Sequence, residues 1–230
     1  MSGEQAIRRR ISAILPRQCA GCRGDHGPLC GSCTTALHSA AYPAQVRPRP
    51  SGLPAVWAVA AYDGAVREAL VAFKDHGRWS LRGPLGEALA TSVAAVALLA
   101  PDPSTLVLVP VPGSPGSARA RDGDHVREIA VVAARVLRSR GVVVNVAAAV
   151  TSVRRRDDQV GLGRAARAVN LRASMAPTAA ARGLVGASAV VLVDDLVTSG
   201  ATLAEAARAL RTLGVEPTGA AVVAATARRR

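Results

Sequence analysis

A chain of 230 residues, half of them apolar, is long enough for one domain of ordinary size and a small appendage. Its formal net charge of +13 comes from 28 arginines and one lysine against 16 acidic residues, which favours polyanionic partners such as phosphorylated molecules or nucleic acid. The longest apolar tract, residues 85–100, contains Glu87 and ends at Pro101, so it predicts a buried helix. We therefore expect a cytoplasmic protein with no membrane span.

The first motif along the chain is a pair of C-x-x-C elements that hold all four cysteines. Each element forms a tight turn that aims two thiolates at one tetrahedral ion, which favours structural zinc. A segment this short has almost no apolar core, so zinc would supply its folding energy. A redox-active dithiol is the alternative, whereas disulfides are less expected in a reducing compartment. The predicted metal ligands are Cys19, Cys22, Cys30 and Cys33.

The rest of the chain predicts a linker followed by an α/β domain. Residues 1–42 hold a short amphipathic helix and the cysteine ribbon, residues 43–54 form a proline-rich linker, and residues 55–230 form the larger domain. Its apolar pattern predicts strands at 57–62, 106–111, 142–150, 190–193 and 219–225, and helices at 66–73, 81–100, 124–138 and 202–213. This alternation implies a mostly parallel sheet that binds ligands at the carboxyl ends of its strands.

The most informative motif follows the strand at 190–193, where the apolar run ends in the adjacent carboxylates Asp194 and Asp195. A helix opens a few residues later, and Thr202 with Glu205 predicts a capping box at its start. The loop between them therefore lies at a helix amino end, where free backbone N–H groups favour a phosphate. Because carboxylates repel phosphate, we expect the two aspartates to face a ribose diol or a Mg²⁺-bearing pyrophosphate.

This segment resembles the 5-phosphoribosyl-1-pyrophosphate (PRPP) motif of type I phosphoribosyltransferases, in which an apolar run is followed by D-D-x-x-T-S-G-A-T. The resemblance implies that Asp194 and Asp195 are catalytic and hold the ribose hydroxyls together with any Mg²⁺ shell. It also implies a 5-phosphate cradle with glycine at its closest approach and hydroxyl donors around it. The PRPP-binding residues so assigned are Val197, Thr198, Ser199, Gly200, Ala201 and Thr202.

Two further loops carry weaker signals for a pyrophosphate site. A proline- and glycine-containing loop at a strand end resembles the pyrophosphate loop of the same enzymes; it consists of Val111, Pro112, Gly113 and Ser114. An arginine-rich loop begins at Arg154, Arg155 and Arg156. A mobile loop of this kind would exclude water and neutralise the charge of the leaving group. A solvated charged loop explains the same arginines equally well.

The order of the motifs is similar to that of the ComF family over residues 19–225, from the cysteine ribbon through F-K-x-x-G-R at 73–78 to the PRPP motif. One departure is R-D-G-D-H at 121–125, where the family often has R-G-F-N-Q. The resemblance implies an α/β fold of the type I phosphoribosyltransferase kind with an N-terminal zinc ribbon. It further implies a protein that binds PRPP with Mg²⁺ and transfers phosphoribose to an unidentified acceptor.

The alternative function belongs to another class. A non-catalytic protein that binds PRPP or another nucleotide would act in DNA uptake (competence) through its ribbon, its basic surface and protein partners of the uptake system. A third alternative is a PRPP sensor that regulates a partner. Only five aromatic residues are available to stack on bases, so we expect weak, mainly electrostatic binding of single-stranded DNA.

Overall fold

The computed structural model describes residues 18–25, 27–113, 124–153 and 174–226. Within these ranges the main sheet has six strands: β1 (Tyr42–Pro43), β2 (Val56–Ala61), β3 (Thr105–Pro110), β4 (Val143–Val146), β7 (Val190–Val197) and β8 (Gly219–Ala225). Their order across the sheet is β1-β2-β8-β7-β3-β4. Only the edge strand β1 runs antiparallel to its neighbour. The mostly parallel α/β sheet expected from the sequence is confirmed.

Helices cover both faces of this sheet. They are α1 (Gly31–Leu37), α2 (Gly64–Lys74), α3 (Arg82–Ala97), α4 (His125–Arg138) and α5 (Ala201–Arg211). Two short 3-10 turns lie at Trp79–Leu81 and Ala179–Leu184. Aspartates begin two of the helices: the Asp63 carboxylate accepts the Gly64 N–H at 2.7 Å, and the Asp124 carboxylate accepts the Arg127 N–H at 3.0 Å.

The alternating side chains of β7 contribute to two separate apolar cores. Val191 and Val193 join the core that α2, α3 and α4 cover, whereas Val190 and Leu192 join the core beneath α5. Helices α3 and α4 approach closely, because a Cβ added at Gly86 would lie 2.4 Å from the Cβ of Val132. Both faces of the central strand are therefore buried, as its continuous apolar run predicts.

Two predicted elements differ from the structure. The strand predicted at 142–150 is divided, because β4 ends at Val146 and the chain turns through residues 147–149. Its second part, β5 (Val150–Ser152), leaves the main sheet and pairs antiparallel with β6 (Met175–Pro177). The motif strand does not end before the aspartates but continues through them to Val197. Both carboxylates are thus attached to a hydrogen-bonded strand.

The proline-rich residues 43–54 pack on the domain. Ala44, Val46 and Leu53 are buried in the core beneath α5. The Arg211 guanidinium of α5 donates to the Gly52 carbonyl at 2.7 Å and so fastens this segment to the helix. The helix predicted within residues 1–15 lies outside the described residues. No helix in the described parts of the chain is long and apolar enough to cross a bilayer.

Candidate functional site

The loop that follows β3 lies beside strand β7 at the carboxyl edge of the sheet. The N–H of Val111 donates to the carbonyl of Val193 at 2.9 Å, so the start of the β3 loop lies directly beside the residue that precedes Asp194. Pro112 and Gly113 continue this loop away from the buried strand. The structure therefore brings Val111 next to the acidic pair, with Pro112 and Gly113 following it in the chain, whereas Ser114 lies outside the described residues.

The two aspartates have different partners. Asp195 is buried, and the ammonium group of Lys74 lies 3.1 Å from its Oδ1 and 2.9 Å from its Oδ2. Asp194 is partly buried, and its Oδ1 accepts the N–H of Asp195 at 2.8 Å. Burial, followed by the charge of Asp195, raises the pKa of Asp194 well above its usual range, while Lys74 acts in the opposite direction. The pair resists carrying two negative charges.

The loop after β7 is built around Gly200, which begins α5 with φ of +70°. A Cβ added at this residue would lie 2.8 Å from a methyl group of Leu53, so both the backbone conformation and the packing require glycine. Val197 and Gly200 are buried, Ala201 and Thr202 are partly exposed, and Thr198 and Ser199 are exposed. The loop thus presents backbone and hydroxyl groups at a helix amino end.

The capping box predicted from Thr202 and Glu205 is wrong. The residue that caps the helix is Gly200, which has no side chain, and the Ser199 hydroxyl accepts the N–H of Ala201 at 3.4 Å. Glu205 is buried on α5 and accepts the N–H of Met175 at 3.1 Å and the Arg208 guanidinium at 2.8 Å. The sequence has the spacing of a capping box, but the Glu205 carboxylate binds Met175 and Arg208 instead of the N–H groups at the start of the helix.

Comparison with known proteins finds a family match in the part of the chain that contains the acidic pair and α5. The family model of the phosphoribosyl transferase domain matches residues 128–230, from α4 through the acidic pair and α5 to the end of the chain. This region has the fold of a phosphoribosyl transferase domain. No curated protein shows significant similarity to the chain. The family match does not include the cysteine cluster or α2.

The region matched by the family model also contains the small sheet formed by β5 and β6. These strands lie on either side of residues 154–173 in the sequence, and the Ser152 hydroxyl at the end of β5 donates to the Gly113 carbonyl at 3.1 Å. The β3 loop and the end of β5 are thereby joined. The predicted pyrophosphate-binding arginines, Arg154, Arg155 and Arg156, lie outside the described residues.

The four cysteines form a cluster that can hold a metal ion. Their Sγ atoms lie within 4.8 Å of one another, which suits a tetrahedral zinc site with sulfurs about 3.8 Å apart. The Cys30 N–H donates to the Cys19 sulfur at 3.2 Å. Hydrogen bonding from Ser32, and then from Cys33, lowers the pKa of Cys30 to about 6, while burial raises the pKa of Cys33 to about 12. None of the four forms a disulfide.

Two features of the structure were missed by sequence reasoning. Lys74 was part of a matched motif but received no role, although it is the only lysine in the chain. His125, in the divergent segment, stacks on Trp79 with ring centres 4.8 Å apart, and Phe73 packs edge-on against both rings. The lysine could have been found from its rarity, whereas nothing in the sequence pairs residues 79 and 125.

Proposed function

We propose that this protein binds PRPP with Mg²⁺ at the carboxyl edge of the sheet and transfers its phosphoribosyl group to an acceptor, releasing pyrophosphate. The observation that carries this proposal is the acidic pair at the end of β7, followed directly by the Gly200 loop and α5 within a matched phosphoribosyl transferase domain. The family match supports phosphoribosyl transfer in general. The acceptor is not identified.

In the proposed reaction, the bond between the anomeric carbon and the pyrophosphate oxygen breaks, and the pyrophosphate leaves with the electron pair. A bond from the acceptor then forms at the same carbon. Asp194 and Asp195 would hold the ribose hydroxyls, while residues 197–202 would hold the 5-phosphate through N–H and hydroxyl donors. The loop at 111–114 and the arginines at 154–156 would receive the pyrophosphate.

Mg²⁺ fits the donor set of this edge, because carboxylate oxygens are hard ligands. Bound Mg²⁺ would neutralise part of the charge of the leaving pyrophosphate. The protein's own contribution is positioning: a strand holds the two carboxylates and a helix start holds the phosphate, so that little reorganisation is needed on reaction.

The non-catalytic alternative keeps the PRPP site and removes the transfer step. In this alternative, DNA is bound through the ribbon and the basic surface of a chain with net charge +13, but Phe73 is fully buried and Trp79 is stacked on His125. Two of the five candidate residues for base stacking are thus occupied within the protein. We therefore rank phosphoribosyl transfer above a role in DNA uptake.

The N-terminal region completes the proposal. We propose that residues 1–42 carry a structural zinc ribbon, that residues 43–54 connect it to the domain, and that residues 55–230 form the catalytic unit. Zinc bound by four thiolates suits a reducing compartment such as the cytoplasm. In this proposal the ribbon has a structural role and takes no part in the transfer step.

Calorimetry with PRPP and Mg²⁺, followed by a pyrophosphate-release screen over nucleobases and amines, tests this function. We expect the Asp195→Asn variant to remain folded and to bind PRPP at least about tenfold more weakly, because it loses a charged acceptor for the ribose hydroxyls. Asp102→Asn, at the amino end of β3, is the control and should bind normally. Binding without release for any acceptor would favour the non-catalytic alternative. If a folded Asp195→Asn variant binds PRPP with unchanged affinity, the acidic pair is not part of the PRPP site.

A further inference from the structure

The last residue of α2 contacts the acidic pair at the carboxyl edge of the sheet. Helix α2 follows β2, which β8 separates from β7 in the sheet, and the ammonium group of Lys74 at the end of this helix contacts Asp195 of β7. Lys74 keeps 39% of its side chain exposed, whereas Asp195 keeps 3%. The ammonium group is therefore held at the surface of the site with its carboxylate partner beneath it.

The end of α2 is fixed in place by the residue before Lys74. Phe73 is fully buried, with its ring centre 5.6 Å from that of Trp79 and 5.1 Å from that of His125. The chain then turns back, and the Arg78 N–H donates to the Ala72 carbonyl at 3.0 Å. The position of the lysine is thus determined by packing as well as by its charge.

The charge of Lys74 has a specific consequence for an anionic ligand. Two ionised aspartates would repel a phosphorylated ribose, and a cation is needed to offset them. A divalent cation can offset these charges, but the ammonium group of Lys74 already contacts the Asp195 carboxylate. The single nitrogen of this ammonium group contacts both oxygens of the Asp195 carboxylate.

We propose that Lys74 is a positioning residue of the phosphoribosyl site, which holds the Asp195 carboxylate for the ligand and supplies part of the positive charge that Mg²⁺ would otherwise provide there. This inference rests on the proposed function. The competing explanation is a purely structural ion pair that stabilises a buried aspartate. The two differ in what they predict for the magnesium dependence of PRPP binding.

The test measures PRPP affinity by calorimetry over a range of Mg²⁺ concentrations for the wild type, Lys74→Met and Lys74→Arg. Lys74→Met leaves the acidic pair more negative, so PRPP binding should weaken at least about tenfold at low Mg²⁺ and recover to within about threefold at saturating Mg²⁺. Lys74→Arg keeps the charge and should retain the magnesium dependence of the wild type. Arg67→Met removes an exposed charge from the same helix and should behave as the wild type.

A second measurement needs no PRPP. Lys74→Met should bind Mn²⁺ more tightly than the wild type, because the ammonium group no longer competes for the carboxylate. If Lys74→Met lowers PRPP affinity by the same factor at all Mg²⁺ concentrations and leaves Mn²⁺ affinity unchanged, the ion pair is purely structural. That result would overturn this inference and leave the proposed function standing. A wild-type protein that does not bind PRPP at any Mg²⁺ concentration would overturn the proposed function and this inference together. If Lys74→Met does not fold, a Lys74→Arg variant with altered magnesium dependence would count against the inference.

Discussion

Adjacent aspartates on one strand are held in unequal environments. Lys74 offsets the charge of Asp195, whereas the Oδ1 of Asp194 accepts the backbone N–H of Asp195 and the Asp194 carboxylate lies beside that second carboxylate. Keeping Asp194 ionised therefore costs stability in the absence of a ligand. Functional sites commonly hold such unfavourable charges, because the ligand or its cation relieves them on binding.

The Asp194→Asn variant should be more stable than the wild type at neutral pH. A raised pKa in the folded state means that Asp194 contributes stability fully below its unfolded pKa of about 3.9 and loses that contribution as the pH rises through the folded pKa. Asparagine cannot ionise, so the variant avoids this loss. Thermal unfolding from pH 4 to pH 8 without PRPP or Mg²⁺ should show a gap that opens as pH rises, and each kcal/mol corresponds to about 2–4 °C.

Two comparisons sharpen this measurement. Asp102→Asn removes a carboxylate whose pKa is lowered by its hydrogen bonds to Ser104, so the stability of that variant should not exceed that of the wild type at neutral pH. If the unfolding temperatures of Asp194→Asn and the wild type differ by the same amount across the whole pH range, ionisation of Asp194 does not destabilise the folded protein.

At the scale of elements, α5 joins the Gly200 loop to the small β5–β6 sheet. The Met175 N–H donates to Glu205 at 3.1 Å and the Met175 carbonyl accepts from Arg208 at 2.9 Å, so both backbone groups of this β6 residue are satisfied by side chains of α5. The Glu205 carboxylate is buried, and Arg208 contacts both of its oxygens at 2.8 Å. The helix that opens with Gly200 therefore also fixes the strand that follows residues 154–173.

Arg208→Met should destabilise the protein more than the double variant Glu205→Gln/Arg208→Met. The single change removes the guanidinium group that offsets the charge of the buried Glu205 carboxylate, which costs about 2–3 kcal/mol after allowance for the partly exposed arginine. The double change removes that charge, and glutamine still offers an oxygen to the Met175 N–H. Urea unfolding of both variants measures the difference. A double variant that is as unstable as the single variant would show that Glu205 is not an uncompensated charge.

Sequence reasoning succeeded where the signal was local. The boundaries of β2, β3 and α4 lie within one residue of prediction, and those of β8 agree, because buried strands and amphipathic helices leave periodic apolar patterns. It failed where a contact is distant. Lys74 and Asp195 are 121 positions apart, and β5 and β6 are three residues each, too short for a period to appear. The Glu205 error has the same origin, since its partner Met175 is 30 positions away.

At the scale of the whole molecule, α2 connects the cysteine cluster with the acidic pair. Near the start of the helix, a Cβ added at Gly21 would lie 2.7 Å from the Cys33 sulfur and 2.9 Å from the Cβ of Ala65. The segment that contains the cysteine cluster therefore packs directly on α2, and its residues Ala20 and Leu37 belong to the same apolar core as the main sheet. At the end of the same helix, Lys74 contacts Asp195.

Cys30→Ser should lower the zinc content from about one ion per chain and loosen the ribbon, because the cluster loses one of four thiolates and metal binding supplies its folding energy. Metal analysis and hydrogen exchange measure the two effects. Exchange should rise in residues 18–37 and in the first turn of α2, where Ala65 packs on the cluster, while β7 and β8 stay protected. Thr35→Ala, an exposed change within α1, is the matched control and should retain zinc. If freshly prepared, reduced wild-type protein contains no zinc, the assignment of a zinc site is wrong. If Cys30→Ser loses zinc without any change in hydrogen exchange, the zinc has no structural role.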